Sequence, residues 1–453
     1  MTTPGRRGPA GGKDVPVLPG LGPIPKPKKM TSAERTSSSG LHVVVVRRTG
    51  VPLVELRLRV PLLSPLAAHP AQAELLADSL LAGTHRHSRD EIASRVQSVG
   101  GSLSTSVDAD RLAVSGSGLA SGLPVLLDVL AEVLTGATYP QPEVVRDRAR
   151  LVDRLSMARS QAGVIAHEAM ARRLWGNHPY VHDMPEADAV AATTAAQVRR
   201  LHERRIVPGG ATLVVVGDVS PARTLDRVEA ALSAWTDAPS PGRAVAPLPP
   251  ITTGPVTLVD RPGSVQSALR LAGPAVARSH PDAAALALAN LVFGGYFSSR
   301  WVENIREDKG YTYSPRSSIE HRQLGSTFRA AADVATGVTA AAVLETAYEL
   351  GRMASTAVRD EEVEAARQYA IGSLSLSVAT QAGLASTLAS LAGAGLGLDW
   401  LAGQPARLAA VTTDEVGAAA TQYLAPARLV SVIVGDAASV RAPLAVLGAV
   451  DDG

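Results

Sequence analysis

The stretch GYFSSRWVENIREDKGYTYS, residues 295–314, is the most informative part of the sequence. A glycine and a short polar turn precede an amphipathic pattern, which predicts a helix over residues 293–309. Gly310 ends this helix, and the alternating residues after it predict a strand. We therefore expect Arg306, on the last helical turn, and Tyr313, on the strand, to point at one spot. A guanidinium and a phenol that lie close together can both donate hydrogen bonds to one carbonyl oxygen.

Both residues also have an ordinary structural explanation. An arginine near the C-terminal end of a helix interacts favourably with the helix dipole, and tyrosine is common in strands. Composition alone favours that explanation, so the functional interpretation of Arg306 and Tyr313 depends on the residues around them.

The surrounding residues resemble a landmark segment in the C-terminal half of the insulinase-like zinc metallopeptidases, the family of pitrilysin and mitochondrial processing peptidase. The shared pattern consists of a glycine pair, FSSR, and then Arg, Glu, Lys-Gly and Tyr at similar spacing. The resemblance implies that Arg306 and Tyr313 reach a zinc site in a different domain and hold the peptide near the scissile bond. It covers nearly everything from about residue 41 to residue 447.

The N-terminal half keeps the surroundings of the family's inverted HxxEH zinc motif without the motif itself. Residues 71–106 retain the Gly-Thr and Gly-Gly pairs that follow the motif in the family. By the family's spacing, the two histidine positions, the general-base glutamate and the third ligand fall on Glu74, Asp78, Ala77 and near Arg154. Because a guanidinium cannot ligate a cation and no imidazole pair or carboxylate base is present, we expect neither a metal nor a cofactor in this chain.

Two alternatives at these positions remain open. Glu74, Asp78 and Asp153 are oxygen donors of the kind that calcium or magnesium prefers, although a solvated acidic pair on a helix is the more ordinary explanation. A self-sufficient peptidase that uses Glu74 and Asp78 is the weaker functional alternative.

The sequence repeats itself, which predicts two similar halves. Residues 46–58, VRRTGVPLVELRL, resemble residues 259–271, VDRPGSVQSALRL, and an apolar run ends in Val-Gly-Asp at residue 218 and again at residue 436. Each half mixes runs of strands with runs of amphipathic helices, which is typical of an α+β fold. We therefore predict two duplicated halves, each a mostly antiparallel sheet with helices packed on one face, arranged as a clamp.

Composition sets the expected boundaries of these halves. Residues 1–40 are rich in Gly, Pro, Ser and basic side chains and predict a disordered tail, whereas the Pro-rich residues 237–255 predict a semi-rigid linker. The halves are then residues 41–236, which carry the degenerate zinc motif, and residues 256–447, which carry the Arg–Tyr motif. Residues 368–398 lack charge but contain too many hydroxyl groups for a membrane span, and predict a buried helix pair.

Charge and cysteine content exclude several functions. The formal net charge is +2, and no basic patch is interleaved with aromatic residues, so nucleic acid is not an expected partner. The chain has no cysteine, which excludes disulfides and thiolate metal sites. The default expectation for location is the cytoplasm.

Two functions remain in competition. The first is the non-zinc subunit of a two-chain peptidase, a heterodimer in which an HxxEH-bearing homologue holds the zinc and this chain contributes Arg306 and Tyr313. The second is a non-catalytic scaffold or peptide-binding subunit, as in the core subunits of respiratory complexes that the family includes. For either function, the strand at Ser102, Leu103 and Ser104 is a candidate edge for capture of an extended peptide.

Overall fold

The computed structural model describes residues 30–236 and 244–453, and these contain two six-stranded sheets. The strands of the first sheet are β1 (Ser32–Thr36), β2 (His42–Arg47), β3 (Leu53–Pro61), β4 (Ser102–Val107), β5 (Arg111–Leu119) and β6 (Thr212–Gly217). Those of the second sheet are β7 (Val256–Asp260), β8 (Gln266–Ala275), β9 (Arg316–Arg322), β10 (Gly325–Ala335), β11 (Val430–Gly435) and β12 (Val450–Asp452).

The two sheets have equivalent topologies, as the sequence repeat predicts. Their orders are β1-β2-β6-β3-β5-β4 and β12-β7-β11-β8-β10-β9, so five strands of one sheet match five strands of the other. The β2–β6, β7–β11 and β7–β12 pairs are parallel, and all other pairs are antiparallel. The predicted α+β fold of two duplicated, mostly antiparallel halves is therefore confirmed.

The helices of the first half are α1 (His69–Ser79), α2 (Arg89–Gln97), α3 (Leu123–Gly136), α4 (Gln141–Arg159), α5 (Ala162–Trp175), α6 (Ala187–Ala191), α7 (Ala195–Arg205) and α8 (Pro221–Ala231). Those of the second half are α9 (Ala283–Asn290), α10 (Arg300–Val302), α11 (Thr339–Ser355), α12 (Asp360–Ser377), α13 (Gln381–Ala392), α14 (Leu398–Ala410), α15 (Thr413–Ala419) and α16 (Ala437–Ala445).

Most helices of each half pack on one face of that half's own sheet. In β2 and β6 the odd-numbered residues, such as Val45 and Val215, lie in a core shared with α1, α3, α4 and α7. Successive side chains of a strand point to opposite faces, so the even-numbered residues must be covered from the other side.

That other face is covered by a helix from the opposite half. Val44, Val46, Val214 and Val216 pack against Leu384, Ala385, Leu388 and Leu391 of α13. Reciprocally, α5 of the first half packs through Ala166, Met170 and Leu174 on the second sheet, against Ala268, Ala272, Val430, Val432 and Val434. The halves are thus interlocked by an exchanged pair of helices, which the sequence does not predict.

Two boundaries differ from the composition-based prediction. Residues Ser32–Thr36 form β1 instead of part of a disordered tail, because they pair with β2 in register Ser32 to Val46. Residues Val450–Asp452 form β12, beyond the predicted end at residue 447, by pairing with β7. The sixth position in each sheet is therefore filled from opposite ends of the chain.

The predicted tail and linker fall partly outside the described residues. Residues 1–29 and 237–243 are not described. From residue 244 the linker is extended, and Leu248 and Ile251 pack partly buried against the α5 interface, so this end of it is attached to the body of the molecule.

Across residues 30–236 and 244–453, no single helix has the length and apolar character needed to cross a membrane. The α12 and α13 helices meet such a criterion only when combined, and they are bent by 109° at their junction. They are the helix pair predicted within residues 368–398, and the apolar face of α13 is covered by the first sheet.

Candidate functional site

The landmark segment folds as a broken helix and not as the continuous one predicted. After α9 the chain forms a π-helical turn, Leu291–Gly295, then a bend, then α10, which continues into a second π-helical turn, Glu303–Asp308. Trp301 and Ile305 are fully buried and fix this segment to the second core. A π-helical turn frequently marks a functional site, and here it carries Arg306.

Tyr313 does not lie on a strand as predicted, since β9 begins only at Arg316. It lies in an irregular segment that follows Gly310, which has a φ of +64° and so turns the chain. Thr312, next to it, donates a hydrogen bond to the carbonyl oxygen of Asp333 at 2.7 Å and so ties the segment to β10.

The structure nevertheless brings Arg306 and Tyr313 together. The guanidinium carbon of Arg306 lies 5.1 Å from the centroid of the Tyr313 ring and 4.3 Å from that of Phe297. Both distances are within the range of cation–π interactions. Tyr313 is 82% exposed and Phe297 is 59% exposed, so this group of three side chains, the Arg–Tyr site, faces outward.

The guanidinium of Arg306 has few partners of its own. Its only ion pair within the described residues is with the adjacent Glu307, from Nε to Oε1 at 3.1 Å. The other nitrogen atoms of this guanidinium have no hydrogen-bond acceptor in the described part of the chain. Their N–H groups are therefore available to a bound molecule.

The helix that carries Arg306 is fixed from its other side. Asn304 donates to Glu345 at 3.0 Å and to Glu349 at 2.8 Å, both on α11. Arg300 forms a bidentate ion pair with Glu362 at 2.7 and 2.8 Å, and Glu362 has its pKa held at about 2, since hydrogen bonds from Arg300 and Arg359 outweigh its burial. The backbone under the Arg–Tyr site is therefore well anchored.

At the degenerate zinc position, the structure brings three of the four predicted residues into one cluster. Nη2 of Arg154 lies 3.1 Å from Oδ2 of Asp78 and 3.8 Å from Oε2 of Glu74. Ala77 lies on α1 between the two acids. The guanidinium at the predicted third-ligand position thus pairs with the carboxylates at the two predicted histidine positions.

The electrostatics of this cluster are those of a partly buried acidic pair. Burial, with the nearby carboxylate of Asp78, raises the pKa of Glu74 to about 7. Burial also raises the pKa of Asp78, against the opposing effect of Arg154. Asp153 is exposed and makes no ion pair with them, and within the described ranges no group of three His, Asp or Glu side chains is placed to hold a metal ion.

The predicted peptide-capturing strand lies beside this cluster. β4 is at the edge of the first sheet, and Thr105 on it donates a hydrogen bond to the carbonyl oxygen of Ala77 at 2.6 Å. Ser102 and Ser104 are exposed, whereas Leu103 packs partly buried against the core. The backbone of β4 that does not face β5 has no strand neighbour within the described residues.

Two features of these sites were missed from the sequence. Phe297 belongs to the quoted landmark, but the sequence does not show that its side chain is exposed beside Arg306. The ion pair of Arg154 with Asp78 joins residues 76 positions apart in the chain, and nothing in the sequence shows that they touch.

The two sites define a class of protein. A duplicated α+β fold combines an outward-facing Arg–Tyr site in one half with an Arg–carboxylate cluster in the other, at the position where the sequence predicts a degenerate zinc motif. A family profile described as "Peptidase M16 inactive domain" matches residues 192–369. The landmark residues, the fold and this match therefore agree in their similarity to the M16, or insulinase-like, peptidases.

Relatives with similar sequences are named as zinc proteases. An uncharacterized zinc protease of Streptomyces coelicolor is 26% identical over 243 residues, covering 52% of this chain and 52% of the relative. An uncharacterized zinc protease of Mycobacterium leprae is 23% identical over 253 residues, covering 55% of this chain and 56% of the relative. The chain therefore spans about half the length of the curated relatives that it matches.

Solved structures share the fold at low sequence identity. The peptidase M16 inactive domain from Pseudomonas fluorescens superposes with a TM-score of 0.83 at 22% identity, covering 89% of this chain and 98% of that one. A protease from Helicobacter pylori gives a TM-score of 0.82 at 16% identity, covering 90% and 99%. These similarities extend to both halves and support the fold alone.

Proposed function

We propose that this chain is the non-zinc subunit of a two-chain M16 peptidase. In this proposal a homologous partner with an intact HxxEH motif holds the zinc, and the Arg–Tyr site of this chain contacts the peptide substrate at the partner's site. The observation that carries the proposal is the Arg–Tyr site itself, where Arg306 lies against two exposed aromatic rings and makes an ion pair only with Glu307 in the described residues. A heterodimer and a cytoplasmic location remain predictions.

The cluster at Arg154 supports the assignment of the zinc to the partner chain. Its guanidinium fills the third-ligand position and pairs with both carboxylates, so this half offers no ligand set for zinc. The partner's zinc would supply the Lewis acid that polarises the scissile carbonyl and activates a water molecule.

The residues of this chain would act on the carbonyl oxygen. The Arg306 guanidinium has N–H donors, and the Tyr313 hydroxyl is an O–H donor on a highly exposed side chain. Donated hydrogen bonds to an oxygen that gains negative charge stabilise the transition state more than the substrate. Phe297 offers an apolar surface beside them for a substrate side chain.

The proposal is tested by isolating the chain with its partner and assaying peptide hydrolysis by the complex. Tyr313→Phe and Arg306→Lys are each expected to lower kcat by roughly 100-fold, equivalent to the loss of about 3 kcal/mol of transition-state stabilisation. Lysine keeps the charge of arginine but loses its planar fork of donors, so it distinguishes geometry from net charge.

The second half of the chain offers a matched control. Arg352 and Tyr348 form another exposed cation–π pair, with 5.6 Å between the guanidinium carbon and the ring centroid. Tyr348→Phe should leave kcat within about twofold of the unmodified complex. Arg352 is kept, because it also pairs with Glu349, which holds Asn304 beneath the Arg–Tyr site. The proposed catalytic contribution would be wrong if the control variant lowered kcat as much as Tyr313→Phe does. It would also be wrong if Tyr313→Phe and Arg306→Lys both kept full activity.

A second candidate function is a peptide-binding or scaffold subunit without a catalytic contribution. The open edge of β4 favours it, because an extended peptide can add to such an edge through backbone hydrogen bonds. This function predicts that the complex keeps its turnover when Arg306 and Tyr313 are replaced, so the same assay separates the two candidates.

A further inference from the structure

A cavity of about 290 Å³ lies between the two halves, apart from the Arg–Tyr site. It is formed where the β4–β5 turn of the first half meets the β9–β10 turn of the second. Gln323 donates its backbone N–H to Oδ2 of Asp110 at 2.9 Å, which joins the two turns. Arg322 pairs with Asp183 of the first half at 2.7 Å. Its lining is mostly polar and charged.

Arg59 enters this cavity from the first half without a partner. It lies on β3, on the face that α13 covers, and its side chain makes no hydrogen bond or ion pair in the described part of the chain. Its Nε atom is fully buried and has no hydrogen-bond acceptor. Burial and the nearby Arg111 lower the pKa of Arg59, although the carboxylates of Asp110 and Asp108 act in the opposite direction.

Arg278 enters the cavity from the second half, and its side chain also has no partner among the described residues. It lies between β8 and α9, lines the cavity, and has neither a hydrogen bond nor an ion pair to any described residue. Burial lowers its pKa. The adjacent His321 has its pKa lowered to about 4 by burial and by Arg278, so at neutral pH this imidazole adds no charge but can still donate a hydrogen bond.

The acids around the cavity are already engaged. Glu320 pairs with Arg322 at 2.7 Å, and Asp108 pairs with Arg111 at 3.1 Å. Both oxygens of Asp110 accept hydrogen bonds, from Gln323 and from the hydroxyl of Tyr180. The lining thus holds as many acids as arginines, but Arg59 and Arg278 are the two of its guanidinium groups that have no hydrogen-bond or ion-pair partner among the described residues.

We propose that this cavity binds a small oxyanion, a phosphate or carboxylate group, held between Arg59 of one half and Arg278 of the other. Two desolvated guanidinium groups in one cavity are costly without an anion, whereas with one they make strong charge-assisted hydrogen bonds. Because the ligand would contact both halves, it would bind the folded chain and not the unfolded one. Binding would therefore stabilise the interlocked arrangement of the halves.

Thermal unfolding at constant ionic strength tests the proposal, with sodium phosphate and sodium acetate titrated separately against sodium chloride. Phosphate also raises Tm without binding, but that effect grows steadily and is common to all variants, whereas a site saturates. We expect a saturable rise of several degrees in Tm with at least one of the two anions in the unmodified chain. The rise should be lost in Arg278→Gln and in Arg59→Gln.

Arg227→Gln is the matched control, since Arg227 is exposed on α8 and does not line the cavity. It should retain the full rise. Without added anion, Arg278→Gln should unfold at the same temperature as the unmodified chain or above it, because an uncompensated charge has been removed. If Arg59→Gln does not fold, the proposal is tested by Arg278→Gln alone. Equilibrium dialysis of radiolabelled phosphate or acetate against the unmodified chain then measures anion binding directly.

Saturation by phosphate alone assigns a phosphoryl ligand, and saturation by acetate alone assigns a carboxylate ligand. An identical response in all variants, or a rise that does not saturate with either anion, would show that the cavity has no oxyanion site.

Discussion

At the scale of single residues, Arg154 gives a partly buried acidic pair its counter-charge. Its guanidinium pairs with Asp78 and Glu74, the two acids that the family spacing places at the histidine positions. The spacing predicts which residues belong to this position, and the structure shows that three of them lie together. Their assignment to a degenerate zinc motif stays a prediction.

The pKa of Glu74 gives a prediction for the dependence of stability on pH. Its pKa is raised from 4.5 to about 7 in the folded chain, chiefly by burial. Between these pH values the folded chain keeps a proton that the unfolded chain has released, so this residue's contribution to stability is present at pH 4.5 and lost as the pH rises through 7. Glu74→Gln cannot lose that proton. It should raise the free energy of unfolding at pH 8 by on the order of 2 kcal/mol and leave it unchanged at pH 4.5.

Urea unfolding at the two pH values measures the effect, and Glu203→Gln is the control, since Glu203 is exposed on α7. The control should change the free energy of unfolding by less than about 0.5 kcal/mol at either pH. A Glu74→Gln variant that is less stable than the unmodified chain at pH 8 would mean that the pair with Arg154 outweighs the burial of the carboxylate.

At the scale of elements, the sequence was most informative where the periodicity was strong. The patterns at residues 43–48, 54–60 and 112–118 predicted strands β2, β3 and β5, and those at residues 123–134 and 142–155 predicted helices α3 and α4. The secondary structure of the landmark segment was harder to predict, because its two π-helical turns have the composition of an ordinary α-helix. A π-helical turn depends on tertiary contacts such as those of buried Trp301, which a local pattern does not contain.

The edge position of β4 leads to a prediction about peptide capture. In the free chain, the amide groups of Ser102–Val107 that do not face β5 should exchange hydrogen quickly. If an extended peptide adds to this edge, those amides become hydrogen-bonded and their exchange should slow at least tenfold. Hydrogen–deuterium exchange with and without a saturating, unstructured peptide substrate measures this.

The equivalent edge strand of the second half, β9, is an internal control, since the two occupy matching positions in their sheets. Protection confined to β4 would favour strand addition there. Unchanged exchange in β4 while the peptide is bound would remove the edge strand, and with it Ser102, Leu103 and Ser104, from the substrate site.

At the scale of the whole molecule, the repeat predicted the number and similarity of the halves but not the way they are joined. An apolar helix such as α13 has the same pattern whether it packs on its own sheet or on that of the other half. The even-numbered residues of β2 and β6 gave a partial signal, because strands that are apolar on both faces need cover on both sides. The ends of the chain were assigned by composition, which could not show that short polar segments complete each sheet as β1 and β12.

The exchanged helices imply that the halves unfold together. Leu388 on α13 is 3% exposed and packs against the first sheet, so removing its side chain should weaken the contact between halves as well as α13 itself. Leu388→Ala should lower the free energy of unfolding by about 2–5 kcal/mol, the usual cost of a cavity of this kind, within a single cooperative transition. Leu376→Ala, at a position 76% exposed on α12, is the matched control and should change it by less than about 0.5 kcal/mol. Calorimetry distinguishes halves that unfold together from halves that unfold independently. Independent halves, joined only by a linker, would give two unfolding transitions, and Leu388→Ala would shift only one of them.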